Sequence, residues 1–307
     1  IQVALFNILQ EGDMQIRGFK LRLPLDIQFL FTANPEDYTN RGSIITPLKD
    51  RIESQILTHY PRSIEVARRI TQQEAKIAAE QKKTIRVPEM LEILLEQVAF
   101  VARESELVDE KSGVSARLSI SGYENLVSTA ERRMLVNEED TATARIVDFW
   151  GVVPAITGKV ELVYEGEQEG PYAVALSLIG EAIKDLFLEH FPNPDQPPKR
   201  GEDRDPYGII KAWFAGGNSV DFFNDATEAD YRKELDKVAG LRRFVEGQKE
   251  LPEADRYAFM ELVLHGLAEF NVINKDLVEA TLVFRDSLAG MLREDEDDED
   301  EVGGRYN

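Results

Sequence analysis

The stretch Phe29-Leu-Phe-Thr-Ala-Asn-Pro-Glu-Asp-Tyr-Thr-Asn-Arg-Gly-Ser-Ile-Ile-Thr-Pro-Leu-Lys-Asp-Arg-Ile52 decides how the chain is read. Ile27, Phe29, Leu30 and Phe31 form a near-continuous apolar run, as expected of a strand covered on both faces of a parallel sheet. Thr32, Ala33 and Asn34 close that strand at its C-terminal end, where open α/β sheets place their ligand sites. Asn34-Pro35 turns the chain. Thr46-Pro47 has the form of an N-cap followed by proline at the first helical position. Lys49, Asp50 and Arg51 end that short helix, and Gln55-Ile56-Leu57 begins a second sheet strand.

Working outward, residues 14–23 alternate Met14 and Ile16 on one side of Arg17-Gly18 and Phe19, Leu21 and Leu23 on the other. This predicts a β-hairpin with a two-residue turn. Residues 1–9 read as a buried helix without a cap, which is the expectation for a chain that opens inside a longer protein. Downstream, 62–81, 88–107 and 115–136 have helical apolar spacing. Residues 141–150 read as a further helix, 159–164 as a strand, 165–170 as a polar turn and 171–191 as a helix. Residues 192–206 hold five prolines and read as a linker. Residues 209–214, 220–223, 228–246 and 251–292 read as mostly helical, with breaks at Gly216-Gly217 and near 271–275. The eight consecutive carboxylates of 294–301 predict a disordered acidic tail.

Composition narrows the function classes. The formal charge is −21, which argues against a nucleic-acid-binding surface, because phosphate contacts need clustered Lys and Arg. The chain has no cysteine, so disulfides and thiolate metal sites are excluded, and a reducing cytoplasm is the expected setting. No apolar run reaches the ~18 residues of a membrane span. His59, His190 and His265 are far apart and lack the spacing of a metal site.

The strand ending Thr32-Ala33-Asn34-Pro35, with Pro47-Leu48-Lys49-Asp50-Arg51-Ile52 after it, resembles the second half of an AAA+ ATPase core. Within that superfamily it is similar to the MoxR and magnesium-chelatase ATPase-subunit group. A hairpin just before the Asn-bearing strand is a mark of the pre-sensor-1 insert members, whose hairpins often touch substrate or partner proteins. The fold so implied is an α/β remnant of an AAA+ core (residues 1–61, parallel strands plus inserted hairpin). A helical lid (62–136), a mainly α C-terminal domain (141–292) and the acidic tail (293–307) would follow.

The resemblance assigns roles residue by residue. Asn34 stands at the sensor-1 position, where an amide helps orient the attacking water beside the γ-phosphate; residue chemistry alone fits a turn-forming Asn before proline equally well. Arg51 stands at the arginine-finger position, facing a neighbouring subunit's nucleotide. The family usually shows Leu-Leu-Asp-Arg-Phe; Lys49 and Ile52 depart from it. The plain alternative for Arg51 is a surface pair with Asp50 of little energetic weight. Arg117, in Ser115-Ala-Arg-Leu118, stands at the sensor-2 position, against the alternative of an ordinary exposed helix arginine. Arg41 is a further candidate for the subunit interface.

No Gly-x-x-x-x-Gly-Lys-Ser/Thr loop and no Walker B strand end occur in the sequence. ATP and Mg2+ are therefore expected as cofactors of a full-length parent, and tight binding to this segment alone is not expected. The parent would form a homo-oligomeric ring, a hexamer by resemblance, and act on a partner protein the sequence does not identify. The alternative is a non-catalytic interaction or scaffold protein that keeps the lid without nucleotide chemistry. A metal chelatase proper would need a porphyrin-metallating complex, for which no residue here selects.

Overall fold

The computed structural model describes residues 13–22, 28–32, 50, 52–109, 112–196, 205–248, 251–278 and 281–287. The chain divides into two units, Ile1–Tyr60 and Pro61–Asn307.

In the first unit, β1 (Asp13–Ile16) and β2 (Phe19–Arg22) pair antiparallel with Ile16 opposite Phe19. Arg17 (φ 49°) and Gly18 (φ 86°) both adopt positive φ at the turn, the geometry whose twist matches a two-residue hairpin. The expected sheet strands fare differently. Residues 28–32 and 52–60 have no strand pairing. Their apolar side chains stand in solvent: Leu30 is 84% and Ile56 87% exposed. A strand buried on both faces needs paired neighbours and covering layers, and the described residues of this unit supply neither. Asn34, Arg41, Arg51 and residues 1–9 lie outside the described residues, as does the acidic tail.

The second unit is mixed α/β and mainly helical, and it begins with a helical block. α1 (Ile64–Glu74) is capped by Ser63, whose Oγ accepts the Val66 N–H at 3.4 Å. The helix expected over 62–81 is broken. Ala75 and Ala78 are extended, and α2 (Ala79–Thr84) starts afresh. The break is held from outside the helix, because the Lys76 N–H donates to Glu124 Oε1 at 2.8 Å. α3 (Glu89–Glu104) and α4 (Arg117–Val136) bury Leu91, Leu94, Leu95, Leu118 and Leu126 in their common core.

The first strand pair of this unit is parallel and short. β3 (Ile85–Arg86) lies beside β4 (Ala142–Thr143). The helix expected over 141–150 is thus a strand followed by a 3-10 helix, Ile146–Gly151. Pairing to β3 draws residues 142–144 into the extended form, and the Ala144 N–H donates to the Arg86 carbonyl at 2.8 Å. The expected strand at 159–164 makes only single bridges, Val160 to Val114 and Leu162 to Val108. After α5 (Val153–Thr157), the expected polar turn is helix α6 (Tyr164–Glu169). Gly170 (φ +92°) then swings the chain into α7 (Pro171–His190).

The remaining elements are α8 (Gly208–Ala215), β5 (Val220–Phe223), α9 (Glu228–Lys237), α10 (Leu241–Glu246), α11 (Arg256–Glu269), β6 (Ile273–Val278) and β7 (Thr281–Asp286). β5, β7 and β6 form an antiparallel sheet in that order. The helical readings of 220–223 and of the chain after Glu269 are corrected here. Val220 and Phe222 point inward while Phe223 is exposed, the two-residue period of a half-buried strand. α11 is buried along most of its length, and Phe187, Phe191, Tyr207 and Phe244 form aromatic contacts in the same core.

Candidate functional site

Of the residues proposed to touch nucleotide, Arg117 is the one within the described residues. It is the first residue of α4 and is exposed. Its backbone N–H donates to Ser115 Oγ at 3.2 Å. The loop before it is anchored: Ser115 N–H donates to the Lys159 carbonyl at 3.3 Å, and Val114 bridges to Val160. Arg117 thus has a fixed backbone, and its guanidinium has no hydrogen bond or ion pair with any described residue. The first turn of α4 contains no acidic residue. A cation in a helix's first turn meets the positive end of the helix dipole, so this placement is locally unfavourable and suits an anion arriving from outside. Asn34, Arg41 and Arg51 lie outside the described residues.

Sequence reasoning missed a buried polar network around α11. Glu261 is fully buried, and its carboxylate accepts the Ile146 N–H on Oε2 and the Val147 N–H on Oε1, each at 2.9 Å. Those are free donors of the first turn of the 3-10 helix, so the carboxylate caps it from another element. Tyr231 donates its hydroxyl to Glu261 Oε2 at 2.9 Å. Arg145 stacks over the Tyr231 ring at 4.2 Å and pairs with Glu228 at 2.8 Å. Arg133 forks onto Asp148, which also accepts the Arg145 N–H. Burial pushes the Glu261 carboxyl up to about 7, against the opposing pull of the Ile146, Val147 and Tyr231 hydrogen bonds. The visible signal was Glu261 and His265, spaced i, i+4 in the apolar run Ala258–Leu267.

The three histidines are also placed. His59 Nδ1 donates to the Tyr60 carbonyl at 2.7 Å, and His190 sits edge-on to Phe259. His265, expected to be partly buried, is almost wholly buried, and burial together with the charge of Lys275 holds its pKa well below the usual imidazole value. Its ring lines an apolar cavity of about 190 Å3 walled by the 3-10 helix, α5 and α7. Among the described residues, no group of three or more His, Cys, Asp or Glu stands together as a metal site. No helix among them is long and apolar enough to cross a membrane. Comparison with protein-family models, with curated proteins and with solved structures returns no match.

Proposed function

We propose that this chain is the C-terminal portion of an AAA+ ATPase of the MoxR and magnesium-chelatase kind. Its parent couples ATP hydrolysis in a ring to remodelling of a partner protein, or to helping metal insertion into one. The observation that carries this reading is Arg117: an exposed guanidinium on an anchored backbone, without a partner among the described residues, at the start of a long helix in a helical block. In this reading residues 62–136 are the lid and Arg117 is the sensor that reaches the γ-phosphate of its own subunit's nucleotide.

The exposed runs at Phe29–Phe31 and Ile56-Leu57 support the same reading. Apolar runs of this kind belong on sheet strands, and the phosphate-binding half of the core would pair and cover them. The chemistry comes from ATP with Mg2+. Arg117 fits the phosphate, since it offers a rigid, permanently charged fork without a competing partner among the described residues. The ligands of Mg2+ would come from elsewhere in the parent. Asn34 would orient the attacking water, and Arg51 would offset charge on the neighbour's transferring phosphoryl group.

The test is steady-state ATP hydrolysis by the parent. Arg117→Ala, Asn34→Ala and Arg51→Ala should each lower turnover by orders of magnitude. Mixed rings should recover activity for Arg51→Ala, because a finger acts on its neighbour. Unchanged turnover in all three variants overturns the reading. So does the absence of a P-loop and an Asp-Glu strand end from the coding sequence preceding Ile1; the chain is then a non-catalytic interaction protein.

A further inference from the structure

The cavity beside α11 is lined by none of the residues assigned to nucleotide chemistry. Phe149 and Trp150 of the 3-10 helix, Ile179 and Ile183 of α7 and Leu282 of β7 form an apolar wall around about 190 Å3. A void that accepts a single benzene ring measures about 150 Å3.

His265 breaks the apolar wall. Its side chain is 6% exposed. Neither ring nitrogen has a hydrogen-bond partner among the described residues. Glu261 Oε1 lies 3.9 Å from Nε2, beyond hydrogen-bond reach, and the ring packs edge-on against Phe284 at 5.1 Å. A neutral imidazole carries one donor and one acceptor. Leaving them buried and unsatisfied costs about 1–3 kcal/mol per group.

The charges around the cavity limit what can enter. The one cation on its lining, Lys275, is already paired with Glu269. Glu261 stands close by, and Asp148, Tyr231 and Arg145 complete the polar groups behind it. An anion would find no free counter-charge, and a cation would have to leave water for an apolar wall.

We propose that this cavity is a binding site for a small uncharged aromatic molecule with one hydrogen-bonding group, of the phenol or indole class. Its ring fills the space between Trp150 and Ile179, and its polar group bonds to a His265 nitrogen that the imidazole turns toward it, since neither nitrogen has accessible surface in the empty site. This inference does not depend on the ATPase reading.

Phenol and toluene, nearly the same in shape, are the probes. Trp150 lines the site, and Trp213→Phe leaves it as the sole tryptophan, so its fluorescence reports occupancy of the full chain. Phenol should saturate and bind about tenfold tighter than toluene, the worth of one hydrogen bond. His265→Leu should bring phenol down to the level of toluene. Ile179→Phe, which fills the space, should abolish binding of both, with the far-ultraviolet circular dichroism unchanged. No saturation by phenol overturns the proposal. So does a phenol-to-toluene ratio near one in the unsubstituted site, a ratio unaltered by His265→Leu, or binding that survives Ile179→Phe. Should His265→Leu fail to fold, the wild-type ratio and the filled cavity decide.

Discussion

Arg133 and Asp148 form a two-pronged ion pair inside the second unit. Nε to Oδ1 is 3.2 Å and Nη2 to Oδ2 is 2.9 Å, with the side chains only 1% and 2% exposed. The pair ties α4 to the 3-10 helix, and Arg133 Nη2 also donates to the Thr143 carbonyl at the end of β4. Such a pair contributes little net stability over apolar replacements, but breaking it strands a charge. Asp148→Ala should therefore lower unfolding free energy by about 3–5 kcal/mol. Arg133→Met with Asp148→Leu should recover much of that loss. Urea midpoints of the single and double variants check both statements.

Glu261 gives the unit a pH signature of definite sign. Its folded pKa of about 7 lies above its ordinary value of 4.5, chiefly because it is buried. Between those values the native state holds more protons than the unfolded one, so this group's contribution falls as pH rises through that window. The cost is complete above the folded value, on the order of 3 kcal/mol, and absent below about pH 4.5. His265 works the other way, since its depressed pKa makes the native state resist protonation, and stability falls on acidification below the ordinary value of 6.5. Glu261→Gln should remove the first effect only. Compared with wild type, the variant should be relatively more stable at pH 8 than at pH 5, as urea unfolding at both values would show.

Gly266 allows α11 to approach α7. A Cβ at this position would fall within the ring of Phe187, and one at Gly180, on the facing helix, would press on Glu269. Gly266→Ala should cost about 1–3 kcal/mol through overpacking, despite the better helix propensity of alanine. The thermal midpoint should fall by about 2–4 °C per kcal/mol for a unit of this size. Adding Phe187→Leu should restore part of the loss. An alanine variant that melts at or above wild type would mean that the helices separate freely.

Arg117→Glu separates the structural role of this residue from its proposed functional one. A carboxylate in the first turn of α4 meets a favourable helix dipole, worth about 0.3–1 kcal/mol. The variant should therefore melt slightly higher than wild type while the parent loses ATP hydrolysis. A lower melting temperature would assign Arg117 a packing role within the unit.

Local chemistry was enough to read the hairpin turn at Arg17-Gly18, because two adjacent positive-φ residues between alternating strands have few other uses. It was enough for α3, α4 and α7 as well, whose apolar spacing runs for many turns. Where partners distant in the chain compete with local preference, the reading failed. The helix over 62–81 is interrupted because Glu124 takes the Lys76 N–H, and 142–143 is a strand because β3 lies beside it. Leu282, Val283 and Phe284, read as helix, form a strand because β5 and β6 pair with it on either side.

The chain's residue pattern therefore settles the elements whose stability is local: long amphipathic helices, a tight turn, the helix start that presents Arg117. Side-chain arrangement around α11 is another matter. Whether Glu261 caps the 3-10 helix depends on which backbone donors arrive from 115 residues away in sequence. Burial in that assembled neighbourhood moves Glu261 toward neutrality, against the pull of the hydrogen bonds it accepts there.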